Sequence, residues 1–260
     1  MTIIIISAIV ALVMTVLAKI ASHIRKQQEA VQQAAERERF IADGKEHFRK
    51  AINSLDYVKV DIDESAERVV NAEIELPEPL SAFRQNIKIS SLTDFVAIDV
   101  ETSGLSPRSS EILSVSAVRF INLKPVEEFG TFIKNRSRIP AEATEINGID
   151  AETVKDAPYF EQIAESLKRF IGSSTVVAHN LRFDIGFLAY QGVDLGKKRK
   201  YYDTLEMSRR LDDIDSHKLA TACAYHGIIM EDFAHEASAD SLACGMLFAE
   251  YIKAEFGQLE

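Results

Sequence analysis

Cysteine is nearly absent: Cys223 and Cys244 are the only two, both in apolar stretches and without metal-ligand spacing. This argues against a disulfide framework or a thiolate metal site. It fits a reducing compartment, with both thiols as buried small hydrophobes. Positive charge is also in short supply, with 30 lysines and arginines against 40 acids and a net charge of −10. Most of the deficit lies downstream, where residues 92–260 hold 18 basic and 27 acidic side chains. A protein that coats nucleic acid by bulk charge sets many cations against phosphates, so the balance argues against that class. It leaves room for a nucleic-acid enzyme whose acids are neutralised by divalent metal. Internal repeats and low-complexity tracts are lacking. With 47% apolar and 27% charged residues, most of the chain has the composition of an ordinary globular protein.

A long apolar run is present at the start. Residues 2–18, TIIIISAIVALVMTVLA, carry no charge, which is near the lower limit for a membrane-spanning helix. Lys19 can snorkel and extend the span. No positive residue precedes the run and no small-x-small site follows, so an uncleaved anchor is favoured over a cleavable signal peptide. Lys19, Arg25, Lys26, Arg37 and Arg39 all follow the span, which predicts a single-pass protein of the cytoplasmic membrane with its C-terminal bulk in the cytoplasm. The expected divisions are an anchor over 1–22, a juxtamembrane helix over 23–56, a linker with room for a short strand over 57–91 and a folded domain over 92–260. Ile41, Phe48, Ile52 and Leu55 form the apolar stripe of the second segment. Pro77 and Pro79 mark the third.

From residue 92 the pattern changes. DFVAIDVETSG alternates and ends in a turn, and two further strand-like stretches follow with Lys124-Pro125 between them as the hairpin connection. Helical turns, the amphipathic stretch YFEQIAESLKRFIG, the short buried strand STVVAH and a helix N-capped by Asn180 come next. Three more helices complete an α/β domain with a mixed central sheet.

Asp99 and Glu101 lie two apart on the first strand and so share a face, while Val96, Ile98 and Val100 fill the other. Acids placed together toward a core are costly unless a cation compensates them. The plainer alternative is a solvated face. Asp184 and Asp240 each open a helix, where the helix dipole alone favours an acid. On one continuous helix His235 and Asp240 would point about 140° apart, so His235 is placed in the loop before the last helix. Lys197-Lys198-Arg199-Lys200 is the one dense basic run. It is either a solvated loop or a steering patch for phosphates.

FVAIDVETSGLSP, VVAHNLRFDIGFL and HEASAD resemble, in order and spacing, the three motifs of the DEDDh 3′–5′ exonucleases, the superfamily that includes the proofreading ε subunit of bacterial DNA polymerase III. EINGID, YYDTLEMSRRL and HKLATACAYHGI add weaker similarity, so the likeness covers about residues 92–255. It implies a ribonuclease H-like fold, here preceded by a transmembrane helix. It also implies two divalent cations, Mg²⁺ or Mn²⁺. By resemblance Asp99 bridges both ions, Glu101 and Asp240 help hold the ion carrying the attacking water, Asp184 holds the second, and His235 is the general base. Resemblance also assigns Thr102, Gly104 and Leu105 to the terminal nucleotide, with Asn180 and Phe183 shaping the pocket and His179 structural. The implied substrate is a single-stranded 3′ end, DNA favoured. RNA trimming and a non-catalytic tethered binding module are the alternatives. A DNA polymerase or other nucleic-acid-processing protein is the implied partner class.

Overall fold

The computed structural model describes residues 2–71, 73, 75–83, 87, 89, 92–230 and 237–257. Side chains of the first helix are described at Lys19, Ser22 and from Arg25 onward, and those of the last helix from Ser238. Two compact units divide at Gly44. The first, Met1–Gly44, consists of most of helix α1 (Thr2–Asn53). Its described side chains from Arg25 to Phe40 are exposed. Among the described residues no helix is long and apolar enough to cross a membrane. The side chains of the apolar run 2–18, on which the anchor expectation rests, lie outside them.

The second unit, Lys45–Glu260, is built on a six-stranded mixed sheet ordered β1-β4-β3-β2-β5-β6. Its strands are β1 (Asp56–Tyr57), β2 (Phe95–Thr102), β3 (Ile112–Ile121), β4 (Lys124–Phe132), β5 (Thr175–Ala178) and β6 (Tyr201–Asp203). β2, β3 and β4 form an antiparallel meander, and β1, β5 and β6 add in parallel. Between them lie α2 (Ala141–Asn147), α3 (Ala151–Val154), α4 (Phe160–Ile171) and α5 (Leu181–Tyr190). α6 (Thr204–Leu211), α7 (Leu219–Tyr225) and α8 (Ala237–Phe256) follow β6. This is the α/β architecture that the patterning predicts.

Alternation along β2 divides the core. Val96, Ile98 and Val100 pack with Ile163 and Leu167 of α4 and Leu181 and Ile185 of α5. Phe95 and Ala97 face the opposite side, against Leu242, Ala243 and Leu247 of α8. Phe95 stacks on Phe120 at 4.6 Å between ring centroids and meets Phe248 edge-on at 4.9 Å. Such pairs each add about 0.5–1.5 kcal/mol beyond area burial. α8 comes this close to the sheet because position 245 is glycine: a Cβ there would lie 2.1 Å from the Phe120 ring. Cys223 and Cys244 are both buried in this layer.

The connection between β3 and β4 differs from expectation. The turn is Asn122-Leu123, with φ of 51° and 62°, and Lys124-Pro125 already belongs to β4. Two successive positive φ values twist with the strands. Leu123 tolerates its own because its N–H donates to Thr93 O at 2.9 Å and its side chain packs on the core.

Of residues 57–91, expected as a linker with room for a short strand, the described ones run around the sheet as a belt. β1 pairs with one edge, at β4. The chain then crosses the outer face of α4 and α5, where Asp63 N donates to Gln162 O at 2.9 Å and Asn71 N to Tyr190 O at 2.8 Å. At the other edge Leu80 bridges Tyr202 of β6, accepting from Asp203 N at 3.1 Å and donating to Tyr201 O at 2.7 Å. Proline lacks an N–H, so Pro77 and Pro79 stop the belt from forming a longer ladder. An open sheet edge needs a backbone partner, and the belt supplies one at both edges.

Candidate active site

β2 outruns its parallel neighbour: β5 pairs only with Phe95, Val96 and Ala97. The far end of β2 therefore has backbone groups open on the β5 side. Asp184, 3% exposed in the first turn of α5, accepts from Val100 N at 3.1 Å and closes that gap. Asp99 and Glu101 emerge from the same stretch toward α8, whose first turn carries Asp240. Asp99, Glu101 and Asp240 each bring a carboxylate oxygen within 4.8 Å of the others. Three chain segments separated by most of the domain thus deliver four acids to the end of one strand.

This arrangement is unbalanced without a cation. Asp99 Oδ2 is buried and has no hydrogen-bond partner among the described residues. Burial first, and then the charges of Asp184, Asp240 and Glu101, hold the Asp99 carboxyl well above the ordinary range. Burial also raises Asp184, against the opposing hydrogen bond from Val100 N. Burial and Asp240 push Glu101 up to about 7, partly offset by a hydrogen bond from Asn147. Crowded carboxylates around an unpartnered buried oxygen suit a hard divalent ion, which takes oxygen ligands. The donor set fits the metal that the motifs imply.

A stability prediction follows from these shifts. A carboxyl whose folded pKa lies above its unfolded value costs nothing below the unfolded pKa and destabilises the fold as pH rises through the folded one. The metal-free protein is therefore expected to lose melting temperature between roughly pH 4 and about pH 7, the Glu101 value. Added Mg²⁺ or Mn²⁺ should flatten that slope. Thermal melts with and without chelator across the window check this, and a pH-independent, metal-insensitive melt would contradict it.

Two residues that the motifs leave unassigned hold the site in place. Asn147, 4% exposed at the end of α2, donates to Thr102 O at 3.2 Å as well as supporting Glu101. Its stretch EINGID stands out in the sequence, but nothing local shows that the amide reaches back to β2. Asp203, 3% exposed at the end of β6, accepts from Asn180 N and Leu181 N, each at 3.0 Å, and from Leu205 N at 2.9 Å. Asp203 thereby caps α6 and fixes the turn into α5, the helix that carries Asp184. Asn180 occupies the N-cap position that the sequence predicts but does not cap through its side chain. Its backbone is left-handed, with φ 73°, and its side chain makes no capping hydrogen bond. Asp203→Ala leaves three backbone donors without their acceptor and is expected to cost about 3 kcal/mol or more of stability. Asp203→Asn should recover part of it. Denaturant melts of the two variants test the assignment, which fails if alanine is neutral.

The remaining predicted residues are placed as follows. Thr102 Oγ1 donates to Gly104 O at 2.7 Å, closing the loop after β2. A Cβ at Gly104 would fall 2.5 Å from Ser110 Oγ, so any larger residue there would have to turn the Ser110 hydroxyl aside. Leu105 is 89% exposed at its tip. Phe183 is half-buried against Phe187, with ring centroids 4.9 Å apart. His179 is occupied by Thr204 Oγ1 at 3.0 Å and His217 O at 2.9 Å, a structural role. His235 lies outside the described residues, and α8 begins at Ala237.

Comparison with known proteins bears on the same region. The RNase T family model, described as exonuclease, matches residues 96–248. A PolC-type DNA polymerase III of Caldanaerobacter subterraneus subsp. tengcongensis is 34% identical over 163 residues, which is 62% of this chain and 12% of that protein. The 3′-5′ exonuclease DinG of Bacillus subtilis is 32% identical over 164 residues, 61% of this chain and 18% of that protein. The chain thus spans less than a fifth of the length of these relatives. Among solved structures, the zinc-bound complex of E. coli exonuclease I with single-stranded DNA superimposes with a TM-score of 0.54 at 19% identity, covering 64% of this chain and 41% of that one. That likeness shows a shared ribonuclease H-like fold.

Proposed function

The chain belongs to the RNase T exonuclease family, and from that premise we propose that it is a metal-dependent 3′–5′ exonuclease releasing nucleoside 5′-monophosphates from single-stranded DNA. The observation that carries the reading is the buried Asp99 oxygen, without a partner among the described residues, within a knot of acids contributed by β2, α5 and α8. DNA is favoured because the PolC-type relatives are DNA polymerases by name.

Two ions, Mg²⁺ or Mn²⁺, held by Asp99, Glu101, Asp184 and Asp240, would neutralise phosphate charge and lower the pKa of the attacking water. The protein's own groups do the rest. Thr102 and Gly104 shape the loop that receives the terminal nucleotide. Leu105 offers an exposed apolar surface to the last base, which any base can use. Asn180 and Phe183 line the approach along α5. His235 is the residue that would take the proton from the attacking water.

A 3′-labelled single strand of DNA and its RNA counterpart, each incubated with the full chain, test this reading. Labelled mononucleotide should appear from DNA faster than from RNA, with Mg²⁺ or Mn²⁺ required and chelator stopping it. Release from the 5′ end, internal cuts, or no release with either metal would overturn it.

We further propose that residues 1–22 anchor the chain in the cytoplasmic membrane with the catalytic unit on the cytoplasmic side. The apolar run at 2–18 and the basic residues that follow it support this. Recovery of the full-length protein in the soluble fraction after lysis would sink the anchor. A DNA polymerase or another nucleic-acid-processing protein is the partner class that the PolC-type relatives suggest.

A further inference from the structure

The basic run at 197–200 is not spread over an open surface. Together with Arg182 of α5 and the belt, it lines a cleft of about 800 Å³. Among the described residues five cations and two carboxylates surround the space, a local excess of positive charge in a chain of net charge −10. Arg199 is engaged by the protein itself, its guanidinium donating to the carbonyls of Leu195, Ser174 and Gly172. Lys197, Lys198, Lys200 and Arg182 are the other cations of the lining. Two belt glutamates hold part of this charge in check. Glu75 pairs with Lys197, and Glu78 pairs with Arg182 at 3.0 Å.

The position of the cleft relative to the acids sets its use. Arg182 and Asp184 lie two residues apart in the first turn of α5, about 200° around the helix. Asp184 is buried on the sheet side, and Arg182 is exposed on the outer side. Arg182 is thus the part of the lining nearest the acids, while the run 197–200 precedes β6 at the opposite end of the parallel strands, so the cleft leads away from the metal site. Both ion pairs are solvent-exposed, and pairs of this kind are weak and screened by salt. A phosphodiester can displace the glutamates at little cost.

Building on the exonuclease reading, we propose that the cleft is a second nucleic-acid site, binding the phosphate backbone of the substrate strand upstream of the end being cut. Glu75 and Glu78 act as its electrostatic gate. The site is concave, which suits a single strand better than a flat anionic membrane. The run 197–200 then lengthens the grip on the strand rather than contributing to the chemistry.

The test compares KM for a very short oligodeoxythymidylate with KM for one several times longer, using the full chain. Wild-type protein should favour the longer strand by about tenfold or more, since two or more added phosphate contacts reach that size at moderate salt. In Lys197→Glu/Lys198→Glu this length advantage should collapse, and the salt slope for the long strand should fall by about 1.4, or about 0.7 for each phosphate no longer held. Glu75→Gln/Glu78→Gln should enlarge the advantage. An equal KM change at both lengths, or none, overturns the proposal. So does a basic variant that loses binding to phosphatidylserine vesicles while keeping its length preference. If the wild-type chain releases no nucleotide from either length, it is the exonuclease reading that fails.

Discussion

Asp99→Asn is expected to lower metal-dependent nucleotide release by on the order of 10³-fold while making the metal-free protein more stable. The two effects share one cause. Asp99 sits where a buried oxygen has no hydrogen-bond partner among the described residues and three other acids press on it. With a cation that geometry is a ligand set, and without one it is a liability. Asparagine keeps the shape, removes the charge and can offer an N–H toward Glu101 and Asp240, whose oxygens lie within 4.8 Å. Relief of an unsatisfied buried group contributes about 1–3 kcal/mol. Activity and chelator-treated melting temperature should therefore move in opposite directions. Retention of full activity would remove Asp99 from the metal site. Loss of activity together with loss of stability would make it a structural residue instead.

The second large effect concerns the belt. A fragment beginning at residue 92, close to where the family match begins, is expected to be unfolded or aggregated. A fragment beginning at Lys45 should melt cooperatively. The shorter piece lacks Phe48, fully buried against the α8 layer, and a loss of that kind costs about 3–5 kcal/mol. It also lacks Phe83, whose ring lies against Tyr202, Phe248 and Phe256. Finally, it uncovers the edges at β4 and β6, which become templates for pairing with other chains. Near-UV circular dichroism and size-exclusion chromatography of both fragments decide the matter. A shorter fragment that is soluble and as stable as the longer would show the belt to be dispensable.

The alternation of FVAIDVET was enough to place Asp99 and Glu101 on one face of a strand, because a period of two is a local property. The helix-start positions of Asp184 and Asp240 were legible for the same reason. The source of the cap at Asn180 was not, because a side chain placed to cap a helix gives no sign that another residue will do so. Asp203 does so from 23 residues away. The Asn122-Leu123 turn was missed because leucine rarely takes positive φ, and only the Thr93 contact makes it tolerable. The belt read as a linker because its prolines and acids carry no period. Its order comes from sheet edges elsewhere in the chain.

The four acids and the histidine were thus named by sequence, two of them on strand geometry and the rest on resemblance to a family. Tertiary structure decided where the acids meet. It set Asp99, Glu101 and Asp240 around one point and brought Asp184 to the gap left where β5 ends short of β2. It also made the belt part of the folded unit. Periodicity reports which face a residue takes. Convergence depends on where strands end and which backbone groups remain to be satisfied, and those are properties of the assembled sheet.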